Sequence, residues 1–152
     1  MSQQLSANFT LPELTISQTA SRHGIRNVPS TAEVANLKRL CNEILQPLRN
    51  QLKKPVVVTS GFRSRELNRA VGGSQTSAHV DGRAADIHVP GMSTAQLVKK
   101  IHELDLPFDQ VIDEFGDWVH VGIARPGEKP RGQYLSARIH GGKVVYNLSK
   151  GF

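Results

Sequence analysis

The chain of 152 residues is long enough for one domain, residues 1–152, with roughly two-thirds of the unfolded chain's surface buried on folding. A hydrophobic content of 38% and a charged fraction of 21% are typical of a globular protein, and no block of like charges is long enough to suggest a disordered tail. No apolar run approaches the ~20 residues of a membrane-spanning helix. The net charge of +6 favours approach to a polyanion, but the basic residues are scattered and no nucleic-acid-binding motif is present, so we expect no nucleic-acid partner.

The first third of the chain is predicted to be helical. Thr10–Glu13 and Ser30–Glu33 both have the capping-box pattern, in which a hydroxyl and a glutamate satisfy the free amides of a helix start. The second helix is expected from about Thr31 to about Leu52, with Pro47 kinking it or shortening its last turn. Cys41 falls on the apolar face of this helix, which predicts a buried and inert thiol.

Strands and helices then alternate. Residues 55–59 form a β-branched run typical of a strand, and residues 64–71 predict a short helix closed by Gly72 and Gly73. Residues 84–89 predict a second strand. Ser93–Gln96 has the pattern that caps a further amphipathic helix.

The last third is predicted to consist of two hairpins. Residues 109–115 and 118–123 read as paired strands around Gly116 and Asp117, and residues 137–148 as a final hairpin that turns at Gly141 and Gly142. The order of elements predicts an α+β domain with a mainly antiparallel sheet flanked by helices.

Three side chains predict a metal site. His79, Asp86 and His120 supply two imidazoles and a carboxylate, the mixture that a catalytic Zn²⁺ uses when its fourth position stays open for water. The seven-residue spacing of His79 and Asp86 excludes the one-turn spacing of an H-E-x-x-H helix, but Gly82 permits a bend and the alanines at 84 and 85 leave room. A metal held in this way can activate its water, so the sequence predicts metal-assisted hydrolysis.

A general base is expected beside that water, and two acids qualify. Asp117 lies at the predicted turn, three residues before His120, whereas Glu114 would face His120 if the hairpin loop contains three residues. His88 shares a strand face with Asp86 and is a rival ligand by geometry, although a position on the rim is the simpler interpretation. Trp118 shares the face of His120 and either packs beneath the metal or binds substrate.

Four motifs together resemble a known family. Ser60-Gly-Phe-Arg63, Ser77-Ala-His79, Gly82-Arg-Ala-Ala-Asp86 and Trp118-Val-His120-Val are similar to motifs of the zinc D-Ala-D-Ala carboxypeptidases. That group includes the vancomycin-resistance dipeptidases and many phage endolysins, and it shares its fold with the hedgehog signalling domain. The likeness covers roughly residues 9–123 and implies a hedgehog/DD-peptidase-like fold.

The resemblance also implies roles for individual residues. His79, Asp86 and His120 would bind Zn²⁺, and Arg63 would hold a substrate carboxylate or steady the developing oxyanion, as its planar fork suits. Ser77 would add a hydrogen bond near the metal. An acid three residues before the last histidine is common in the family and favours Asp117 as the base. Related phage sequences place the acid in the preceding strand, which favours Glu114.

The expected function is that of a zinc-dependent peptidase acting on bacterial peptidoglycan, as a monomeric phage or prophage endolysin. A host D-Ala-D-Ala carboxypeptidase or dipeptidase is the alternative within enzymes, and a non-catalytic, zinc-stabilised wall-binding or virion module is the alternative outside them. Residues 1–14 lack the pattern of a secretory signal. We therefore expect synthesis in the cytoplasm, no membrane insertion, and action on the cell wall after release.

Overall fold

A six-stranded sheet carries the hydrophobic core of the protein on one face and the candidate site on the other. The structure is a computed structural model, and it describes residues 3–148. The strands are β1 (Gln4–Ser6), β2 (Phe9–Thr10), β3 (Val57–Ser60), β4 (Ala84–His88), β5 (Gln110–Glu114), β6 (Trp118–Gly122), β7 (Gln133–His140) and β8 (Lys143–Leu148).

The helices lie mostly in the first two-thirds of the chain. They are α1 (Leu11–Thr15), α2 (Gln18–His23), α3 (Thr31–Leu40), a π-helical turn (Cys41–Leu45), α4 (Gln46–Leu52), α5 (Arg65–Ala70), a 3₁₀ turn (Ala78–Asp81) and α6 (Thr94–Glu103). Within residues 3–148, no helix has both the length and the apolar character needed to cross a membrane.

All three predicted capping boxes are present. Thr10 and Ser30 each accept a hydrogen bond from the backbone N–H of the glutamate three residues later, and that glutamate accepts one from the cap N–H. Ser93 and Gln96 make the same exchange at the start of α6. The starts of these helices are therefore fixed by local chemistry.

The predicted helix from Thr31 to Leu52 is continuous, but its hydrogen bonding changes before Pro47. Proline has no N–H to donate to the carbonyl four residues earlier, so an α-helical pattern cannot pass through it unbroken. The chain widens into the π-helical turn, in which the N–H of Gln46 donates to the carbonyl of Cys41. Cys41 itself is buried, as predicted.

The sheet order is β3-β4-β6-β5-β7-β8, and every neighbouring pair is antiparallel except β5 and β7. The predicted α+β class with a mainly antiparallel sheet is therefore confirmed. In the β5–β6 hairpin the loop contains three residues, 115–117, so that Glu114 pairs with Trp118 and Ile112 pairs with His120.

The final hairpin is longer than predicted. Its turn lies at Gly141 and Gly142 as expected, but β7 begins at Gln133 and pairs in parallel with β5. The loop before β7 is tied to the start of β5, because Asp109 accepts hydrogen bonds from the backbone N–H and the guanidinium of Arg131. This long-range tie, like the small β1–β2 hairpin, leaves no local signal in the sequence.

One hydrophobic cluster lies between the sheet and the helices. It joins residues of α3, the π-helical turn, α4 and α6 to alternate residues of the central strands, which are Ala85, Ile87, Val111, Val119 and Val121. Because side chains alternate along a strand, Asp86 and His120 project from the opposite face of the same strands.

Candidate metal centre

The three predicted metal ligands converge. Asp86 on β4 and His120 on β6 are direct partners across the two strands, and the 3₁₀ turn carries His79 to the same place. The Oδ1 atom of Asp86 lies 3.2 Å from Nδ1 of His120 and 3.3 Å from Nε2 of His79. One ligand atom from each residue lies within 4.8 Å of the others, a geometry that can hold a metal ion.

A tight turn brings His79 back to the strand. Gly82 ends the 3₁₀ turn in the left-handed region, at φ +75°, and a Cβ atom there would meet the carbonyl oxygen of Glu33. The glycine is therefore required by conformation and by space. Ser77 caps the turn, since its Oγ accepts from the backbone N–H of His79. Ser77 also lines the cavity onto which the cluster opens.

Hydrogen bonding sets the protonation of His79. Its Nδ1 atom lies 2.7 Å from the carbonyl oxygen of Gly61, so Nδ1 carries the proton and donates it. Burial lowers the pKa of this imidazole, which is only 3% exposed, and so keeps it neutral. Its Nε2 lone pair consequently faces the carboxylate of Asp86. Two acceptors at this distance repel each other, and a cation bound between them would remove the repulsion.

Asp86 remains ionised although it is buried. Burial alone would raise the pKa of its carboxyl, but the close polar contacts, foremost the one with His120, outweigh that effect and hold the pKa below its usual range. A neutral imidazole and an ionised carboxylate are the forms in which these groups bind divalent metals.

Arg63 is held at the edge of the cluster by three side chains. Its Nε donates to Oγ of Ser60 and one terminal nitrogen donates to Oδ1 of Asn68, while the other lies 3.5 Å from Oδ2 of Asp86. Burial lowers the pKa of the guanidinium, yet arginine keeps its charge in proteins. Asn68 is not among the predicted site residues, because the position of this buried polar residue on a short helix gives no sign of its partner.

The structure separates the two candidate bases. Glu114 lies on the face of β5 that carries the cluster, half-buried, and burial raises the pKa of its carboxyl. Asp117 is exposed at the loop, and its backbone N–H donates to the carbonyl of Glu114. Of the two, therefore, Glu114 has its side chain directed toward the metal cluster.

A family model described as Peptidase M15 matches residues 7–122. The chain belongs to the M15 peptidase family. The match contains Arg63 and all three candidate ligands, and it confirms the resemblance seen in the motifs. No curated protein matches the chain. M15 peptidases are metal-dependent, which agrees with the cluster of His79, Asp86 and His120.

In this M15 peptidase the cluster opens into a cavity of about 950 Å³. Trp118 lines the cavity, and its ring packs edge-on against Phe115 with centroids 6.1 Å apart. His88, the rival ligand, lies at the far end of β4 opposite Val57 and is not part of the cluster.

The cavity extends beyond the family-matched residues. Leu135 and Tyr146 of the final hairpin line it, as do Arg125 and Lys129 of the preceding loop. None of these four residues is among those predicted to form the site. Nothing in the local sequence shows that β7 and β8 continue the sheet next to β5.

Proposed function

We propose that the protein is a zinc-dependent peptidase that hydrolyses peptide bonds of bacterial peptidoglycan, in the role of a phage or prophage endolysin. The observation that carries the proposal is the acceptor pair at the cluster. The Nε2 lone pair of neutral His79 and the carboxylate of Asp86 lie 3.3 Å apart, and His120 lies beside them. A divalent cation would relieve the repulsion between these acceptors.

The donor set suits zinc. Two imidazole nitrogens and one carboxylate oxygen are ligands of catalytic zinc sites, which keep a position open, whereas structural sites have four protein ligands. When bound, zinc would activate a water molecule and polarise the carbonyl group of the substrate. The carbonyl of Gly61 accepts from His79 and would hold that ligand in the required tautomer.

Glu114 is proposed as the general base. Its carboxylate would accept a proton from the attacking water and pass it to the leaving amine. Burial raises the pKa of Glu114 and so makes it a stronger base than an exposed glutamate. Its place on a strand holds it more firmly than a loop tip would hold Asp117.

Arg63 is proposed to bind a substrate carboxylate. Ser60 and Asn68 fix two of its donors, so its plane is set before substrate arrives. A guanidinium has five N–H groups and pairs with a carboxylate through two of them. Peptidoglycan peptides carry such carboxylates, and the net charge of +6 favours approach to an anionic wall. In the endolysin role the protein acts as a monomer on the wall, after release from the cytoplasm.

Digestion of purified peptidoglycan, with and without a chelator, tests the proposal. We expect the protein to release peptide fragments, the chelator to stop the release, and added zinc to restore it. The mass of the fragments separates the alternatives, because free D-Ala from a pentapeptide indicates a carboxypeptidase and cleaved cross-linked muropeptides indicate a lysin.

His88→Ala provides a matched control for that assay, since His88 lies on β4 with Asp86 but outside the cluster. The control variant should digest the wall at the parent's rate. If the protein carries zinc but releases no peptide fragments, the proposed peptidase activity is contradicted and a binding module is favoured.

A further inference from the structure

One face of the β7–β8 hairpin is apolar although solvent reaches it. Its side chains, which we call the apolar strip, are Leu135, Ile139, Val144, Tyr146 and Leu148. Tyr146 is 52% exposed and Leu148 is 60% exposed. The other face of the hairpin carries Tyr134, which packs against the hydrophobic core, and Val145 among polar side chains. Apolar side chains gathered on one exposed face are typical of a binding surface.

The apolar strip and the metal cluster share one face of the sheet. Direct cross-strand partners project to the same side, and one row of partners crosses all six strands. In order, it contains Ser60, Asp86, His120, Ile112, Leu135 and Leu148. The adjacent row contains Trp118, Glu114, Ala137 and Tyr146. The cleft therefore runs across the strands, from Arg63 at one edge to the apolar strip at the other.

Polarity changes along this cleft. The side chains on β3, β4 and β6 in the first row are polar, and those on β5, β7 and β8 are apolar. In the adjacent row, the small Ala137 lies between the carboxyl of Glu114 and the ring of Tyr146. Ala137 is fully buried beneath its neighbours, and Leu135 and Tyr146 line the same cavity as His120.

We propose that the apolar strip is a subsite for the substrate's peptide chain beyond the cleaved bond, on the side away from the carboxylate that Arg63 holds. The inference rests on the peptidase function proposed above. A substrate anchored at Arg63 with its reacting bond at the cluster must continue toward β7 and β8. Three interstrand steps place Tyr146 ~14 Å from the strand of His120, a distance that about four extended residues span.

The occupant is a peptide because the strip is continuous with the cleft that holds the reacting bond. Apolar side chains and methyl groups of the peptide would pack on Tyr146 and Leu135. A subsite of this length favours a substrate of several residues over a dipeptide. It also gives a function to the C-terminal hairpin, which lies outside the family match at residues 7–122.

The test compares two peptides with the zinc-loaded protein. The bond that the parent cleaves in a muropeptide is first identified by mass. Two synthetic peptides containing this bond are then made, one with a single residue on the side away from the carboxylate and one with four. The kcat/KM of each is measured for the parent and for Tyr146→Ala, Tyr146→Phe and Val145→Ala. Val145 is the matched control, since it neighbours Tyr146 but faces the other way.

We expect Tyr146→Ala to lower kcat/KM about tenfold for the long peptide and to leave the short peptide unchanged. Tyr146→Phe should recover the loss, and Val145→Ala should match the parent. Equal losses on both peptides, or no loss on either, would overturn the subsite and leave the peptidase function standing.

If the parent cleaves no peptide, the proposed function fails. Peptide-binding affinities then test the subsite separately. Calorimetry would then compare a pentapeptide stem with the dipeptide D-Ala-D-Ala. The subsite is supported if the parent binds the pentapeptide more tightly than the dipeptide and Tyr146→Ala abolishes this difference. Equal affinities of the parent for the two peptides would overturn it. A parent dimer that Tyr146→Ala dissociates would assign the strip to self-association instead, which also overturns the proposal.

Discussion

Glu114 lies directly opposite Trp118 in the β5–β6 hairpin, and this pairing turns its carboxyl group to the face that carries His120. A two-residue loop would have changed the register and sent Glu114 to the other face. The length of one loop thus decides which acid meets the cluster.

Turnover is predicted to depend on the carboxylate of Glu114. Glu114→Gln should lower kcat about 10²- to 10⁴-fold, because an amide cannot accept the proton of the attacking water. Its zinc content should equal that of the parent. Asp117→Asn is the matched control and should keep nearly full turnover, since Asp117 is exposed at the loop and does not line the cavity. Loss of turnover in Asp117→Asn with retention in Glu114→Gln would reverse the assignment.

Asn68 is predicted to position Arg63 rather than to contact substrate. Its Oδ1 accepts from the guanidinium, and its Nδ2 donates to the carbonyl of Ser74. Asn68→Ala frees one side of Arg63, so KM should rise about tenfold while kcat changes less. Asn68→Asp keeps an oxygen acceptor for the guanidinium but loses the donor to Ser74, so it should recover part of the affinity.

A purely structural role for Asn68 would give a different result. Thermal unfolding of both variants measures that role directly. If both variants lose kcat and gain KM by similar factors, and if these changes follow their loss of thermal stability, Asn68 only supports the fold.

The ion pair of Asp109 and Arg131 predicts a pH effect on stability. Hydrogen bonds from Arg131 lower the pKa of the Asp109 carboxyl, so its contribution is present above the ordinary aspartate pKa and is lost as pH falls through the lowered value. Arg131→Gln should lower the free energy of unfolding by less than ~1 kcal/mol at pH 7, because Arg131 is largely exposed.

The difference in the free energy of unfolding between the parent and Arg131→Gln should shrink as pH falls below ~4 and vanish in stronger acid. Denaturant unfolding at a series of pH values measures it. Lys129→Gln, which removes a charge from the same loop, controls for the change in net charge. A difference that stayed constant into strong acid would show that the arginine acts by packing alone.

Cys41 is predicted to be chemically silent in the folded protein. Burial raises the pKa of its thiol to about 12, so almost no thiolate forms at pH 8. A disulfide-exchange reagent should react with the unfolded chain within seconds and with the native chain only as fast as it opens. Rapid labelling of the native protein would contradict the burial of this helix.

The sequence predicts best what depends on neighbouring residues. The capping boxes at Thr10 and Ser30 require only residues within one helical turn, and both are present. The convergence of His79, Asp86 and His120 follows from their types, a glycine bend and the family spacing. The part that could not be predicted depends on register between distant strands. Tyr146 reaches the cavity only because β7 pairs in parallel with β5, and no local pattern encodes that pairing.

The central claim is that His79, Asp86 and His120 together hold a zinc ion on which peptidase activity depends. The most direct measurement is the zinc content of the purified parent, His120→Ala and His88→Ala, taken with their rates of peptidoglycan digestion. We predict equimolar zinc and full activity for the parent and His88→Ala, and loss of both in a folded His120→Ala. Equimolar zinc and parental digestion in His120→Ala would contradict the account.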